Sequence, residues 1–170
     1  MRGKTRESEN RMRVRRCEPK DLGEVQQILE VAPEAAWWTG ESLAAALEGD
    51  AAHFLVEWEE QGIGGFVIGR RAADEGEILN LAVRPERRRR GIGRALVEGL
   101  MEIFAGEATA RVFLEVRESN RQAIALYEQL GFRATGRREG YYLEPDEAAL
   151  VLEAKLSSSD GVAFRKGQVG

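Results

Sequence analysis

The chain has 170 residues, with 25 lysines and arginines set against 29 aspartates and glutamates, for a net charge of -4 at neutral pH. That length suits one domain with a real hydrophobic core, and the acidic balance argues against a general DNA or RNA binder while leaving a local anion site open. A single cysteine (Cys17) and a single histidine (His53) exclude an internal disulfide and leave no ligand set for a structural zinc; with no apolar run in residues 1–12 to act as leader or anchor, the expectation is a metal-free, cytoplasmic protein away from membranes, a monomer or weak dimer.

Residues 1–11 are polar and read as a flexible extension, residues 12–156 as the folded domain, and residues 157–170, opening Ser-Ser-Ser-Asp-Gly, as a flexible tail. Residues 13–17 predict a first strand, after which Leu22, Val25, Ile28 and Leu29 recur at helical spacing. Thr39 is an N-cap for a second helix carrying Leu43, Ala46 and Leu47, with Trp37 and Trp38 in the loop before it. Residues 53–59 and 63–70 are β-rich runs joined through Glu60-Gln61-Gly62 as a hairpin, and residues 78–83 form the next strand, stopped by Pro85.

A third helix starts near Gly91, buries Ile92, Leu96, Val97, Leu100 and Phe104, and ends about Gly106. Val112, Leu114 and Val116 alternate with Phe113 and Glu115 in a fifth strand. Ser119 or Asn120 caps a fourth helix with Ile124, Tyr127 and Leu130 on one side and Gly131 at its end; residues 132–138 and 148–156 are two late strands. The order β-α-α-β-β-β-α-β-α-β-β predicts a mixed α/β protein around one sheet.

Residues 79–96 carry the most information: an apolar strand, a basic turn with two glycines, then an amphipathic helix. Gly91 and Gly93 let backbone approach a ligand, and the free N–H groups and positive dipole end at the helix start attract an anion such as an acyl-CoA pyrophosphate. A Walker loop requires Gly-Lys-Ser/Thr, and a dinucleotide fingerprint requires a third glycine and an acidic residue about 20 positions on; neither is present. A run such as Arg87 to Arg90 is otherwise a solvated turn or a nucleic-acid patch.

Together these features resemble the GNAT superfamily of N-acetyltransferases over residues 12–156. Arg88-Arg89-Arg90-Gly91-Ile92-Gly93 matches that family's Gln/Arg-x-x-Gly-x-Gly/Ala signature between strand and helix. Residues 114–120 (Leu-Glu-Val-Arg-Glu-Ser-Asn) and 123–132 (Ala-Ile-Ala-Leu-Tyr-Glu-Gln-Leu-Gly-Phe) resemble its second conserved block. Trp38, residues 77–83, the Leu-Glu-Val-Arg run and Arg137-Arg138 followed by Tyr141-Tyr142 resemble the branch that acetylates ribosomal-protein N-terminal alanine. Two departures fall in the substrate-facing half. Glu139-Gly140 separate the Arg and Tyr pairs where one residue is usual, and Ala148-Ala149 follow Glu147 where the branch often has an acidic residue.

The resemblance implies the GNAT fold, a mixed, mostly antiparallel central sheet with helices on both faces and a split between strands 4 and 5, with acetyl-CoA as co-substrate and no metal. Glu115 aligns with the branch's general base, acting through a water, and alternation puts it opposite Leu114 and Val116; a surface glutamate is the other reading. Tyr127 is implied as the general acid for the CoA thiolate, although its spacing with Ile124 and Leu130 also suits a core tyrosine. Leu81, Ala82 and Val83 would line a slot for the pantetheine arm beside a strand bulge. Arg88, Arg89, Arg90, Gly91, Ile92, Gly93 and Arg94 would hold the pyrophosphate mainly by main-chain N–H groups.

Asn120 resembles a residue on the cofactor arm, or is a plain N-cap. Trp38, Glu77, Asn80, Tyr141 and Tyr142 would frame the acceptor, Glu77 attracting its ammonium. Trp37 is read as packing, and His53 and Cys17 as structural. At pH 7 an α-amine is roughly 10–20% neutral and a lysine amine only about 0.04%, so an α-amine acceptor, a ribosomal-protein N-terminus in this branch, asks less of the enzyme. Cys17, remote from these motifs, leaves direct attack in a ternary complex as the expected route. A small-amine acceptor, a non-catalytic acyl-CoA-binding module and an RNA contact through Arg87 to Arg90 are the alternatives.

Overall fold

A computed structural model describes residues 13–157. The expectation that residues 1–11 and 157–170 are flexible extensions lies, Ser157 apart, outside the described residues. The elements are β1 (Arg13–Arg16), α1 (Leu22–Val31), α2 (Gly40–Glu48), β2 (Ala52–Glu59), β3 (Gly62–Ala72), β4 (Glu75–Val83), α3 (Ile92–Gly106), β5 (Arg111–Arg117), α4 (Arg121–Gln129), β6 (Arg133–Leu143) and β7 (Asp146–Lys155), with short 3-10 turns at Pro19–Asp21 and Pro85–Arg87. Their order is the one the apolar periodicity predicts.

Seven strands form one sheet in the order β1-β2-β3-β4-β5-β7-β6. β4 and β5 run parallel, and every other neighbouring pair is antiparallel. Residues such as Leu55, Val67, Ile78, Val112 and Leu114 turn one face toward Leu96, Leu100 and Phe104 of α3 and Tyr127 of α4. Phe54, Val56, Phe66 and Ile68 turn the other toward Val25 and Ile28 of α1 and Leu43 of α2. β3 is covered on both faces, so it reads as a continuous apolar and glycine run instead of an alternating one.

The strands run longer than the periodicity suggests. β4 begins at Glu75, three residues early, because Glu75-Gly76-Glu77 has no apolar pattern, yet Gly76 lies under the Phe104 ring. β6 continues to Leu143 although all but one of its residues are exposed. It is an edge strand held by pairing to β7, so burial leaves no mark on its sequence. Among the described residues no helix is long and apolar enough to cross a membrane.

β4 and β5 pair only from Glu75/Arg111 to Ile78/Leu114, after which they part. On the other side of β4, the register with β3 shifts where Ile68 and Gly69 face Asn80 and Ile78, leaving Leu79 as an extra residue. Ile78 and Leu81, three apart, consequently both pack into the α3 core, which regular alternation forbids. The bulge and the split together open the sheet beside the start of α3.

Candidate active site

A cavity of about 660 Å³ fills that opening. Leu81, Ala82 and Val83 of β4 line one wall; Arg88, Arg89, Gly91, Ile92, Gly93 and Arg94 line a second; and Arg117, Ser119, Asn120, Gln122, Ala123 and Leu126 line the third. Past Ile78 the backbone of β4 has no strand partner on the β5 side, so its polar groups face this space.

The second wall is an anion cradle built from backbone. Arg89 has φ +62° and Gly91 φ +82°, both left-handed, which turns the chain sharply into α3. The first backbone bond of the helix runs from Ala95 N–H to the Gly91 carbonyl at 3.0 Å, leaving the N–H groups of Ile92, Gly93 and Arg94 without an intrahelical acceptor at the positive end of a 15-residue dipole. Most of the arginine side chains brace the loop. Arg87 donates to the carbonyls of Gln61 and Gly62, each at 3.0 Å, Arg88 donates to the Val83 carbonyl and pairs with Glu34, Arg90 pairs with Glu59 at 2.6 Å, and Arg94 pairs with Glu98 at 2.9 Å. Arg90 is off the cavity wall, and Arg89 is the one arginine of the run whose side chain has neither an ion pair nor a hydrogen bond among the described residues.

Asn120 is the cap of α4, its Oδ1 accepting from Ala123 N–H at 3.2 Å, and it also lines the cavity. Glu147 of β7 accepts from Ser119 N–H at 2.6 Å and from Arg117 at 3.3 Å, tying the β5–α4 turn to the sheet. Those bonds, from Ser119 above all, hold its carboxyl below the usual range. Tyr127 stands on neither cavity wall. It is 5% exposed, packs edge-on to Phe132 at 5.4 Å, and burial pushes its phenol well up.

A second cavity, about 360 Å³, lies where β4 and β5 are still paired, lined by Glu77, Phe113, Glu115, Arg138 and Val151 among others. Glu115 is paired with Arg138 at 3.0 Å, and the same carboxylate, close by, pushes the Tyr141 phenol up to about 12. Glu77 is held by Arg70 at 2.6 Å. Glu115 and Arg117 alternate onto one face of β5, Arg117 on the wall of the first cavity and Glu115 on that of the second, so this strand joins the two spaces.

Two of the expected acceptor residues lie elsewhere. Asn80 is 5% exposed and donates to the Ala36 carbonyl at 2.8 Å, fastening the α1–α2 loop to β4. Trp38 packs against the α1/α2 core, whereas Trp37, read as packing, is 63% exposed. Adjacent tryptophans in a loop carry no periodicity that would tell which one turns inward. Tyr142 lies under the Arg117 guanidinium at 4.0 Å and meets Tyr141 edge-on at 5.0 Å. Sequence reasoning gave no role to Arg138, Arg117 or Glu34. The Arg137-Arg138 pair was visible, but which of the two faces Glu115 depends on strand register; Glu34 sits in a loop with no motif.

Against known proteins, the model of the acetyltransferase (GNAT) family matches residues 14–132. A ribosomal protein bS18-alanine N-acetyltransferase of Escherichia coli K12 is 42% identical over 94 residues, 54% of this chain, and the match spans 64% of that relative's length. A Bacillus subtilis protein named as a candidate for the same activity is 31% identical over 140 residues, covering 82% of this chain and 92% of its own. The crystal structure of the Escherichia coli ribosomal-protein-S18-alanine N-acetyltransferase superposes with a TM-score of 0.78 at 32% identity, over 85% of this chain and 94% of that one. With the split sheet, the bulged fourth strand and the glycine-turned helix start already in place, a family match across most of the described chain leaves one assignment: this protein belongs to the acetyltransferase (GNAT) family.

Proposed function

We propose that the protein transfers the acetyl group of acetyl-CoA to the α-amine of a protein N-terminus, with a ribosomal protein beginning in alanine as the acceptor. The observation that carries this reading is that β5 contributes Arg117 to the cavity of the α3 cradle and Glu115, two residues earlier on the same face, to a second cavity. An anion site and a carboxylate base joined by one strand are what acyl transfer to an amine requires. Similarity to relatives named for acetylation of ribosomal protein alanine supports the choice of acceptor.

The residues on the first cavity's walls suit acetyl-CoA: free N–H groups of Ile92, Gly93 and Arg94 for the pyrophosphate, and Leu81, Ala82 and Val83 along the arm. The co-substrate supplies an activated thioester. Unpaired backbone donors of β4 polarise its carbonyl, and Glu115 takes the ammonium proton, directly or through a water, freeing the nitrogen lone pair. The N–C bond forms as the C–S bond breaks, Tyr127 gives its proton to the departing sulfur, and the second proton that the nitrogen sheds on becoming an amide passes through water to restore the phenol. Tyr127 directly follows Leu126 of the cavity wall along α4. The transfer is direct. Cys17 lies in the α1/α2 core, where burial pushes its thiol up to about 12 and keeps it un-nucleophilic.

Incubation with acetyl-CoA and an alanine-first ribosomal peptide, read by mass spectrometry, is expected to add one acetyl group to the free peptide and none to its N-blocked control. Absence of product despite acetyl-CoA binding, across peptides and small amines, would overturn the reading.

A further inference from the structure

The carboxylate at the centre of the second cavity already holds a cation. Arg138 Nη1 lies 3.0 Å from Glu115 Oε1, with the Arg138 side chain 60% exposed and that of Glu115 20% exposed. A local irregularity brings the arginine there. Arg138 pairs with Ala149 and Tyr142 with Glu147, so four steps of β6 are matched to two of β7, and Glu139, Gly140 and Tyr141 arch out of the hairpin with Gly140 at φ +57°. This arch contains the residue by which the chain departs from the usual spacing between the Arg and Tyr pairs. It also sets the Tyr141 ring 5.8 Å from the Arg138 guanidinium.

A guanidinium and an ammonium ask the same thing of a carboxylate, a place within hydrogen-bonding distance of its oxygens. Glu115 has one oxygen spent on Arg138, and both residues line a cavity of about 360 Å³. We infer that Arg138 is a stand-in for the acceptor's ammonium: it occupies Glu115 in the acceptor-free enzyme, and the arriving amine displaces it. Arg138 is thus a positioning residue that sets the apparent affinity for the acceptor by competing for its site. The exchange is easy in one direction only, because a long and mostly exposed arginine finds solvent readily whereas Glu115 stays in the cavity wall. The inference rests on the reading that the Glu115 cavity receives the amine.

Two measurements on the full chain test it. In steady-state assays with an alanine-first peptide, Arg138→Gln is expected to lower the acceptor KM about two- to fivefold, the range of an exposed ion pair, with the acetyl-CoA KM unchanged; Arg138→Lys, which keeps the charge, returns the acceptor KM toward wild type. A merely structural arginine predicts the opposite, a KM that rises in both variants. An acceptor KM indifferent to the glutamine would overturn the inference.

The second measurement needs no turnover. With CoA present, titration of the free-amine peptide should shift the Arg138 guanidinium NMR signals saturably, and the N-acetylated peptide should leave them in place. Free-amine binding that leaves those signals unmoved, or no peptide binding at all, would overturn the inference as well. Displacement without any acetyl product would uphold the exchange and refute the transferase reading, whereas turnover with a KM indifferent to Arg138 would do the reverse.

Discussion

The first cavity holds a row of free backbone N–H groups, and most of the arginines around it are turned aside to pair within the protein; the second is walled by charged side chains that pair with one another across the sheet. One is made by the conformation of a short contiguous segment, since Arg89 and Gly91 in left-handed geometry release three N–H groups whatever the neighbouring side chains are. The other is assembled from β3, β4, β5, β6 and β7, and exists only because their registers bring Arg70 to Glu77 and Arg138 to Glu115. A site of the first kind tolerates change in its side chains and fails on change of its backbone. A site of the second kind behaves the other way round.

Substitutions can separate the two. The largest effect belongs to Glu115→Gln, which keeps the shape and removes the base. It is expected to lower kcat by about 10²–10⁴-fold and to leave acetyl-CoA affinity, read by calorimetry, within error of wild type. Tyr127→Phe keeps the ring against Phe132 and deletes only the hydroxyl; kcat should fall about 10²-fold, and the melting temperature should hold. A hydroxyl with a purely structural role would show the reverse.

In the cradle, Gly91→Val forces a β-branched residue to φ +82°. The cost of roughly 1–2 kcal/mol for a side chain in that conformation should appear as acetyl-CoA binding weakened about tenfold, with the acceptor KM little moved. Arg90→Gln, which removes an arginine side chain from the same segment but no backbone donor, should change acetyl-CoA affinity less than about twofold, as expected for an exposed ion pair. A large loss there would show that side-chain charge, and not backbone, holds the anion.

The smallest effect is a pH dependence at the seam between the cavities. The Glu147 carboxyl is held below its ordinary value by Ser119 and Arg117. Its contribution is therefore complete above the unfolded-state value of about 4.3 and is lost as pH falls through the lower folded value. Thermal unfolding of wild type and Glu147→Gln should differ at pH 7, and the difference should close as the pH is lowered below the carboxylate range. A gap that stays constant with pH would show that the contribution is not electrostatic.

The order of the elements and the glycine turn into α3 were legible because both are local. Apolar residues at helical or alternating spacing mark which stretches form α1, α3 or β5, and Thr39 and Asn120 accept the capping bonds their positions suggest. The placement of the residues expected to frame an acceptor was legible only in part. Glu77, Glu115 and Tyr141 fall in or beside the second cavity, but Asn80 turned out to be a latch for the α1–α2 loop, and Arg138 had no assigned role.

By itself the sequence determined the helices, the strands, their order and the glycine-turned start of α3, because dihedral preference, capping and burial periodicity act within a few residues. Tertiary structure decided which face Asn80 presents after the bulge at Leu79, which of Trp37 and Trp38 is covered, and that Arg138 reaches Glu115 across an arched hairpin. The physical reason is that a one-residue change of register inverts the side of the sheet a strand residue occupies, and register is settled by partners that lie far away in the chain.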